Sequence, residues 1–268
     1  MAIEIGFIGG GQMATALAQG AIAEGVMAPD EVGFVEPNGK QQAKLRERFP
    51  QATIAVNAAD LVPKCEKVIL AVKPNVLTVI AESIGRLLKD QLVISIAAGV
   101  SLPKLVELLG HERIVRVMPN TPSLVGDGAS AFAVSSEVNP EDTKWVEQML
   151  TAVGVCIQVP DELIHAVIGV SGSGPAYGYM AIEALSDGGV AAGLTRADAI
   201  VLAAQTLLGA ARMVLETHSH PGELKDQVAS PGGTTAAAIA SLEATGFRNS
   251  LIKAVAAAAK RSRELGGE

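Results

Sequence analysis

The sequence predicts an α/β fold, a largely parallel sheet wrapped by helices over residues 1–160, followed by an all-helical domain over 161–268. Three observations predict it. Short β-branched runs alternate with longer amphipathic segments as far as Pro160, a glycine-rich turn joins the first run to the segment after it, and beyond Pro160 the composition shifts to Ala, Gly and Leu.

The first strand is IEIGFIG, followed by a helix from Gln12 to Glu24, the run VGFV and a helix from Gly39 to Phe49. KVILAV at 67–72, LVISIAA at 92–98, IVRVM at 114–118 and SAFAVS at 130–135 continue the series. Their nearly unbroken apolar character suits strands covered on both faces. PEDTKWVEQMLTAVG supplies a helix, with Pro140 at its start and Gly154 beyond its end, and VCIQV at 155–159 is the last strand. In the second domain one helix runs from Pro175 to about Ala192, where Gly193 stops it, and another from Arg196 to Thr217, with Thr195 and Asp198 at capping-box spacing. A third ends near Ala229, and two more occupy 234–245 and 247–265 around Gly246.

Composition narrows the function. With 28 acidic against 21 basic residues and no basic run, the chain carries a net charge of −7, a poor match for nucleic acid. Cys65 and Cys156 are far apart and His111, His165, His218 and His220 form no ligand pattern, so neither a disulfide framework nor a metal site is expected. Reduced cysteines and a start without a basic leader point to the cytoplasm. The charge-free stretch 165–182 is broken by four glycines and Pro175, which argues against a membrane span. Alanine-rich helices bury little area each and gain by packing against many neighbours, so self-association is expected.

GFIGGGQMA places Gly9, Gly11 and Ala14 as G-x-G-x-x-A between a strand and a helix. Gly9 makes the turn, Gly11 admits a pyrophosphate to the backbone, and Ala14 lets the helix pack closely, a Rossmann-type dinucleotide loop that also contains Gln12 and Met13. A structural glycine turn is the competing reading. Glu36, after VGFV, stands where an acid accepts from an NAD ribose and repels an NADP phosphate, yet Asn38 and Lys40 follow and could hold that phosphate. NADH and NADPH both stay open. Ala71, Val72, Lys73 and Pro74 end a strand on the ligand side of the sheet, as does Asn57, and each also suits an ordinary strand end. In RVMPNTP, Asn120 offers a donor and an acceptor to a carboxamide, while Arg116, inside the strand, suits a structural ion pair.

The late stretch HPGELKDQVASPGGTT runs from a short polar helix into a Pro-Gly-Gly turn and a new helix start. Free backbone N–H groups there could clamp a carboxylate, with Ser230 and Thr234 adding hydroxyls; a capped helix after a tight turn is the plainer reading. SGSGPAY is a second small-residue turn that could let the helical domain approach a nicotinamide or simply permit close packing, and the Tyr177 phenol is capable of proton donation.

Taken together, GFIGGGQMA, AVKP, SIAAG, RVMPNTP, GVSGSGPAY and HPGELKDQVASPGGTT resemble the pyrroline-5-carboxylate reductase family in order and setting across nearly the whole chain. The resemblance implies reduction of L-1-pyrroline-5-carboxylate to L-proline by NADH or NADPH, the last step of proline biosynthesis. It implies a Rossmann domain and a helical domain that interlocks in a dimer, with dimers assembling further. It makes Gly9, Gly11 and Ala14 the cofactor loop, Lys73 and Pro74 its rim, and Asn120 a neighbour of the nicotinamide. Ser230, Gly233, Thr234 and Thr235 become the substrate loop, contributed across the dimer interface, with the Thr235 hydroxyl on the ring nitrogen. The chain has QMA where many members have NMG, which leaves the fingerprint intact. A β-hydroxyacid dehydrogenase shares the opening motif but needs a lysine that SGSGPAY lacks nearby, and a non-enzymatic dinucleotide sensor leaves SPGGTT unexplained.

Overall fold

The computed structural model describes Ile3–Gly267. Its strands are β1 (Ile3–Ile8), β2 (Val32–Val35), β3 (Thr53–Ala55), β4 (Cys65–Leu70), β5 (Leu92–Ser95), β6 (Ile114–Met118), β7 (Gly128–Val134) and β8 (Gly154–Gln158). They form one sheet in the order β3-β2-β1-β4-β5-β6-β7-β8. Neighbouring strands run parallel except β6 and β7, which are antiparallel with Val117 opposite Phe132. Only the 3-10 turn Thr121–Val125 and a left-handed Gly126 join that pair, too little chain for a parallel crossover.

The connecting helices are α1 (Gln12–Ala23), α2 (Gly39–Arg48), α3 (Ala58–Leu61), α4 (Pro74–Gly85), α5 (Leu102–Leu109) and α6 (Pro140–Thr151). They cover both faces of the sheet. One apolar layer joins Leu17, Ala18 and Ala21 of α1 to Val146, Met149 and Leu150 of α6 over Phe7 and Phe34, whose rings stack at 5.1 Å. The opposite layer joins Leu61, Leu77 and Ile84 to Leu105 and Leu109. Local signals set the helix starts: Asn38 accepts from the N–H groups of Lys40 and Gln41, and Asn139, ahead of Pro140, accepts from that of Asp142.

The remaining helices are α7 (Ile164–Val167), α8 (Gly174–Ala191), α9 (Arg196–Thr217), α10 (Pro221–Gln227), α11 (Thr234–Ala244) and α12 (Phe247–Gly266). The chain divides into two compact units, one of the described residues through Gly172 together with those from Ala258 onward, the other Ser173–Ala257. The second begins later than the change of composition at Pro160 because Ile164 of α7 belongs to an apolar layer of the sheet. Within it α8 packs on α9, and Thr195 caps α9 by accepting from the Asp198 N–H. Of the 22 residues of α9 only Ala199 and Ala203 are buried in the single chain, and α10 and α11 bury none. Leu185, Val201, Leu208, Met213 and Ile252 are exposed. Among the described residues, α9 alone is long and apolar enough to cross a membrane, and its composition also suits a helix covered by protein.

Arg116 of β6, 2% exposed, forms an ion pair with Asp161 at 2.8 Å, as its place within a strand anticipates. The other Asp161 oxygen accepts from the Leu102 N–H at 3.0 Å, which fixes the start of α5. Asp161→Ala leaves a buried guanidinium uncompensated and frees a helix end. Denaturant unfolding is expected to show a loss of about 3 kcal/mol, and Arg116→Met a smaller one, because the replacement is apolar and of similar volume.

Candidate active site

The carboxyl ends of β1, β2 and β4 meet where the strand order reverses, the usual ligand crevice of a doubly wound sheet. Gly9 leaves β1 between its two neighbours, donating its N–H to Val35 O at 2.9 Å while Ala71 donates to Ile8 O at 2.9 Å. Its φ is +100°, and a Cβ there would lie 2.8 Å from Ala71 O, so glycine is required on two counts. Gly11 is different. Its backbone is extended, and a Cβ on it would meet nothing within 4 Å, so the space in front of it is open.

After Gly11, α1 begins without a side-chain cap, which leaves its first N–H groups to point at an anion. Ala14 is buried against the sheet, Met13 packs on the same apolar layer, and Gln12 is exposed. A cavity of about 390 Å³ adjoins the turn. It brings together Gly9, Glu36, Asn57 and Val72, between apolar walls that include Val56, Val76 and Ile80. Asn57 stands at the start of α3 without capping it, so its amide is not spent on the helix. Lys73 and Pro74, both exposed, begin α4 beyond the Ala71-Val72 strand end. Open glycine backbone, uncapped amides and a largely apolar cavity with a few polar groups fit a dinucleotide.

Asn120 lies elsewhere in the same unit and does not line the cavity. Its Oδ1 accepts from the Ala129 N–H at 2.9 Å and its Nδ2 donates to Ser171 O at 3.1 Å. The side chain braces the β6-β7 turn against the segment before α8, which leaves one amide hydrogen for a ligand.

In the second unit, His220 caps α10 by accepting the Gly222 N–H on Nδ1 at 3.1 Å. The Pro-Gly-Gly turn follows, with Gly232 left-handed at φ +68° and the Gly233 N–H donating to Ser230 O at 3.0 Å. A Cβ on Gly233 would lie 2.3 Å from Ser230 Oγ, so a larger residue there would turn that hydroxyl away. Gly233 is itself the residue before α11 and gives the helix no side-chain cap. The first amides of α11 are therefore open beside the hydroxyls of Ser230, Thr234 and Thr235, an arrangement suited to a carboxylate. Tyr177 reaches only Ala254 O, at 3.5 Å.

Sequence reasoning did not single out Val56, Val76 or Ile80 as cavity walls, although the i, i+4 apolar spacing of the last two on α4 was a signal. It also passed over Gln41, whose side chain donates to Gly10 O at 2.5 Å. Among the described residues no group of His, Cys, Asp or Glu is placed to hold a metal ion.

Comparison with known proteins decides the family. A curated pyrroline-5-carboxylate reductase from Synechocystis is 46% identical over 99% of both chains. The chain belongs to the pyrroline-5-carboxylate reductase family. Residues 161–265 match the family model described as pyrroline-5-carboxylate reductase dimerisation, and residues 4–99 match one described as NADP oxidoreductase coenzyme F420-dependent. The structure of a pyrroline-5-carboxylate reductase from Coxiella burnetii matches with a TM-score of 0.92 at 37% identity, covering 99% of each chain. That of a Plasmodium falciparum pyrroline carboxylate reductase with NADP bound matches with 0.87 at 34% identity, covering 98% of each. Membership of this family accounts for the bare apolar faces of the second unit, because the chain self-associates through its C-terminal helices.

Gly9→Ala and Gly11→Ala separate fold from binding. The first is expected to lower stability by about 2 kcal/mol or more through strain and overlap. The second is expected to cost about 1 kcal/mol or less while weakening NAD(P)H binding at least about tenfold, read by thermal unfolding and titration calorimetry. Cys65 is buried, donates to Leu61 O, and has its thiol pushed up to about 12 by burial. Its neutral form is favoured throughout the neutral range. At pH 8, alkylation of the native protein followed by mass mapping is expected to label Cys156 and spare Cys65.

Proposed function

We propose that this chain reduces L-1-pyrroline-5-carboxylate to L-proline with NADH or NADPH, closing proline biosynthesis in the cytoplasm. The observation that carries the reading is the end-to-end identity of 46% with a pyrroline-5-carboxylate reductase. The open glycine cradle in the first unit and the uncapped α11 in the second support it. Residues 1–160 serve as the dinucleotide domain and 161–268 as the substrate and dimerisation domain, with dimers assembling further.

When bound, the reduced nicotinamide supplies a hydride to the ring carbon double-bonded to nitrogen, and with the proton on that nitrogen the imine becomes the amine. The chain's part is binding and orientation. Backbone N–H groups of Gly11, Gln12, Met13 and Ala14, reached past Gly9, hold the pyrophosphate; Glu36 and Asn57 face the adenosine ribose; Ala71, Val72, Lys73 and Pro74 form the rim. Asn120 lends its remaining amide hydrogen beside the nicotinamide. Ser230, Gly233 and Thr234 fix the substrate carboxylate on α11, in a loop contributed by a second copy of the chain. The Thr235 hydroxyl orients the ring nitrogen. A protonated imine is already electrophilic, so placement rather than a strong acid carries the protein's contribution.

Purified, self-associated protein is expected to oxidise NAD(P)H only when pyrroline-5-carboxylate is added. Absence of turnover with both dinucleotides overturns the reading, and turnover with 3-hydroxyacids instead favours a β-hydroxyacid dehydrogenase. Thr235→Ala is expected to reduce kcat about 5- to 150-fold with dinucleotide affinity unchanged, and Thr235→Ser to restore much of it. An unchanged kcat/KM in the alanine variant removes Thr235 from the mechanism.

A further inference from the structure

We propose that Glu36 makes the nucleotide cavity select NADH over NADPH. The inference rests on the reductase reading above and names the dinucleotide used by that same site.

The carboxylate is held in place. The Glu36 N–H donates to Ala55 O at 3.0 Å and its carbonyl accepts from Gln42 Nε2 at 2.7 Å, so the backbone is tied on both sides. Oε2 accepts from the Gly10 N–H at 3.0 Å, inside the glycine turn itself, and Oε1 accepts from the Asn38 N–H at 2.9 Å. Each oxygen keeps further acceptor capacity, which the two hydroxyls of an adenosine ribose can fill as donors. A 2′-phosphate brings only acceptors and negative charge to the same place.

The described cavity lining supplies no cation to offset that charge. Among the described residues lining the cavity Glu36 alone is charged. Three backbone donors of the β2-α2 turn are spent internally rather than on a phosphate. The Asn38 N–H goes to Glu36, and those of Lys40 and Gln41 go to Asn38 Oδ1 at 2.9 and 3.2 Å. The Gln41 amide is committed to Gly10 O. The turn therefore offers acceptors to a diol and few backbone donors to a phosphate, and discrimination comes from repulsion as much as from attraction.

The test is equilibrium binding of NADH and NADPH to the self-associated protein by calorimetry, with ADP-ribose and its 2′-phosphate as probes that lack the nicotinamide, and no imine substrate present. The wild-type protein is expected to bind NADH and ADP-ribose at least about tenfold tighter than their phosphorylated counterparts. Glu36→Gln and Glu36→Ser are expected to narrow that ratio, chiefly by improving the phosphorylated ligands, and Lys40→Ala is expected to leave it unchanged. Equal or tighter binding of NADPH by the wild-type protein overturns the proposal. So does a ratio that survives in both folded Glu36 variants, or one that collapses in Lys40→Ala. Pyrroline-5-carboxylate turnover with NADPH preferred defeats this inference alone, whereas failure to bind either dinucleotide defeats the reductase reading with it.

Discussion

The site depends on the way Gly9 is wedged between two strand ends. Its N–H is tied to β2, and its Cα lies so close to the Ala71 carbonyl just past β4 that no side chain can be carried there. That single close approach turns the chain out of the sheet and starts α1 with its amides exposed. It also places Gly10 against Glu36 and leaves Gly11 facing open space. The cavity follows from the same reversal of strand order, since β1 sends its successors to opposite sides. The Arg116-Asp161 pair and the Asn120 brace hold other loops of this unit by the same economy, with buried polar groups each fixing two segments.

The helical unit obeys a different constraint. Its side chains are small, so each helix covers little apolar area, and α9, α10 and α11 cannot bury their faces within a single chain. Self-association supplies the missing cover. The loop before α11 is shaped by glycines rather than by contacts with large neighbours: Gly232 takes a left-handed conformation and Gly233 clears Ser230. Backbone donors of this kind suit an anion whatever the net charge of the chain, here −7.

Much of this was legible in the sequence, because period and punctuation speak to local structure. The α9 limits at Arg196 and Thr217, the Thr195 cap and the turn at Gly9 all follow from residue types at fixed offsets. The antiparallel pairing of β6 and β7 was not legible, since strand direction depends on the length of a connection whose 3-10 turn has no periodic signature. Glu36 was visible as an acid at a strand end, but its role could not be weighed until the partners of Asn38, Lys40 and Gln41 were known. Those hydrogen bonds commit three of the turn's backbone donors. Asn120 shows the converse. Its chemistry suited a ligand, and the fold spends most of it on a brace.

The central claim is that this chain places a reduced nicotinamide against an imine. The most direct measurement is the isotopic content of the proline formed when the enzyme is given pyrroline-5-carboxylate and a nicotinamide dinucleotide carrying deuterium at both positions of its reactive carbon. The account predicts proline roughly one mass unit heavier, with deuterium on the ring carbon that was double-bonded to nitrogen and none on the carbon bearing the carboxylate. Unlabelled proline, or no proline at all from folded and self-associated protein, would contradict it.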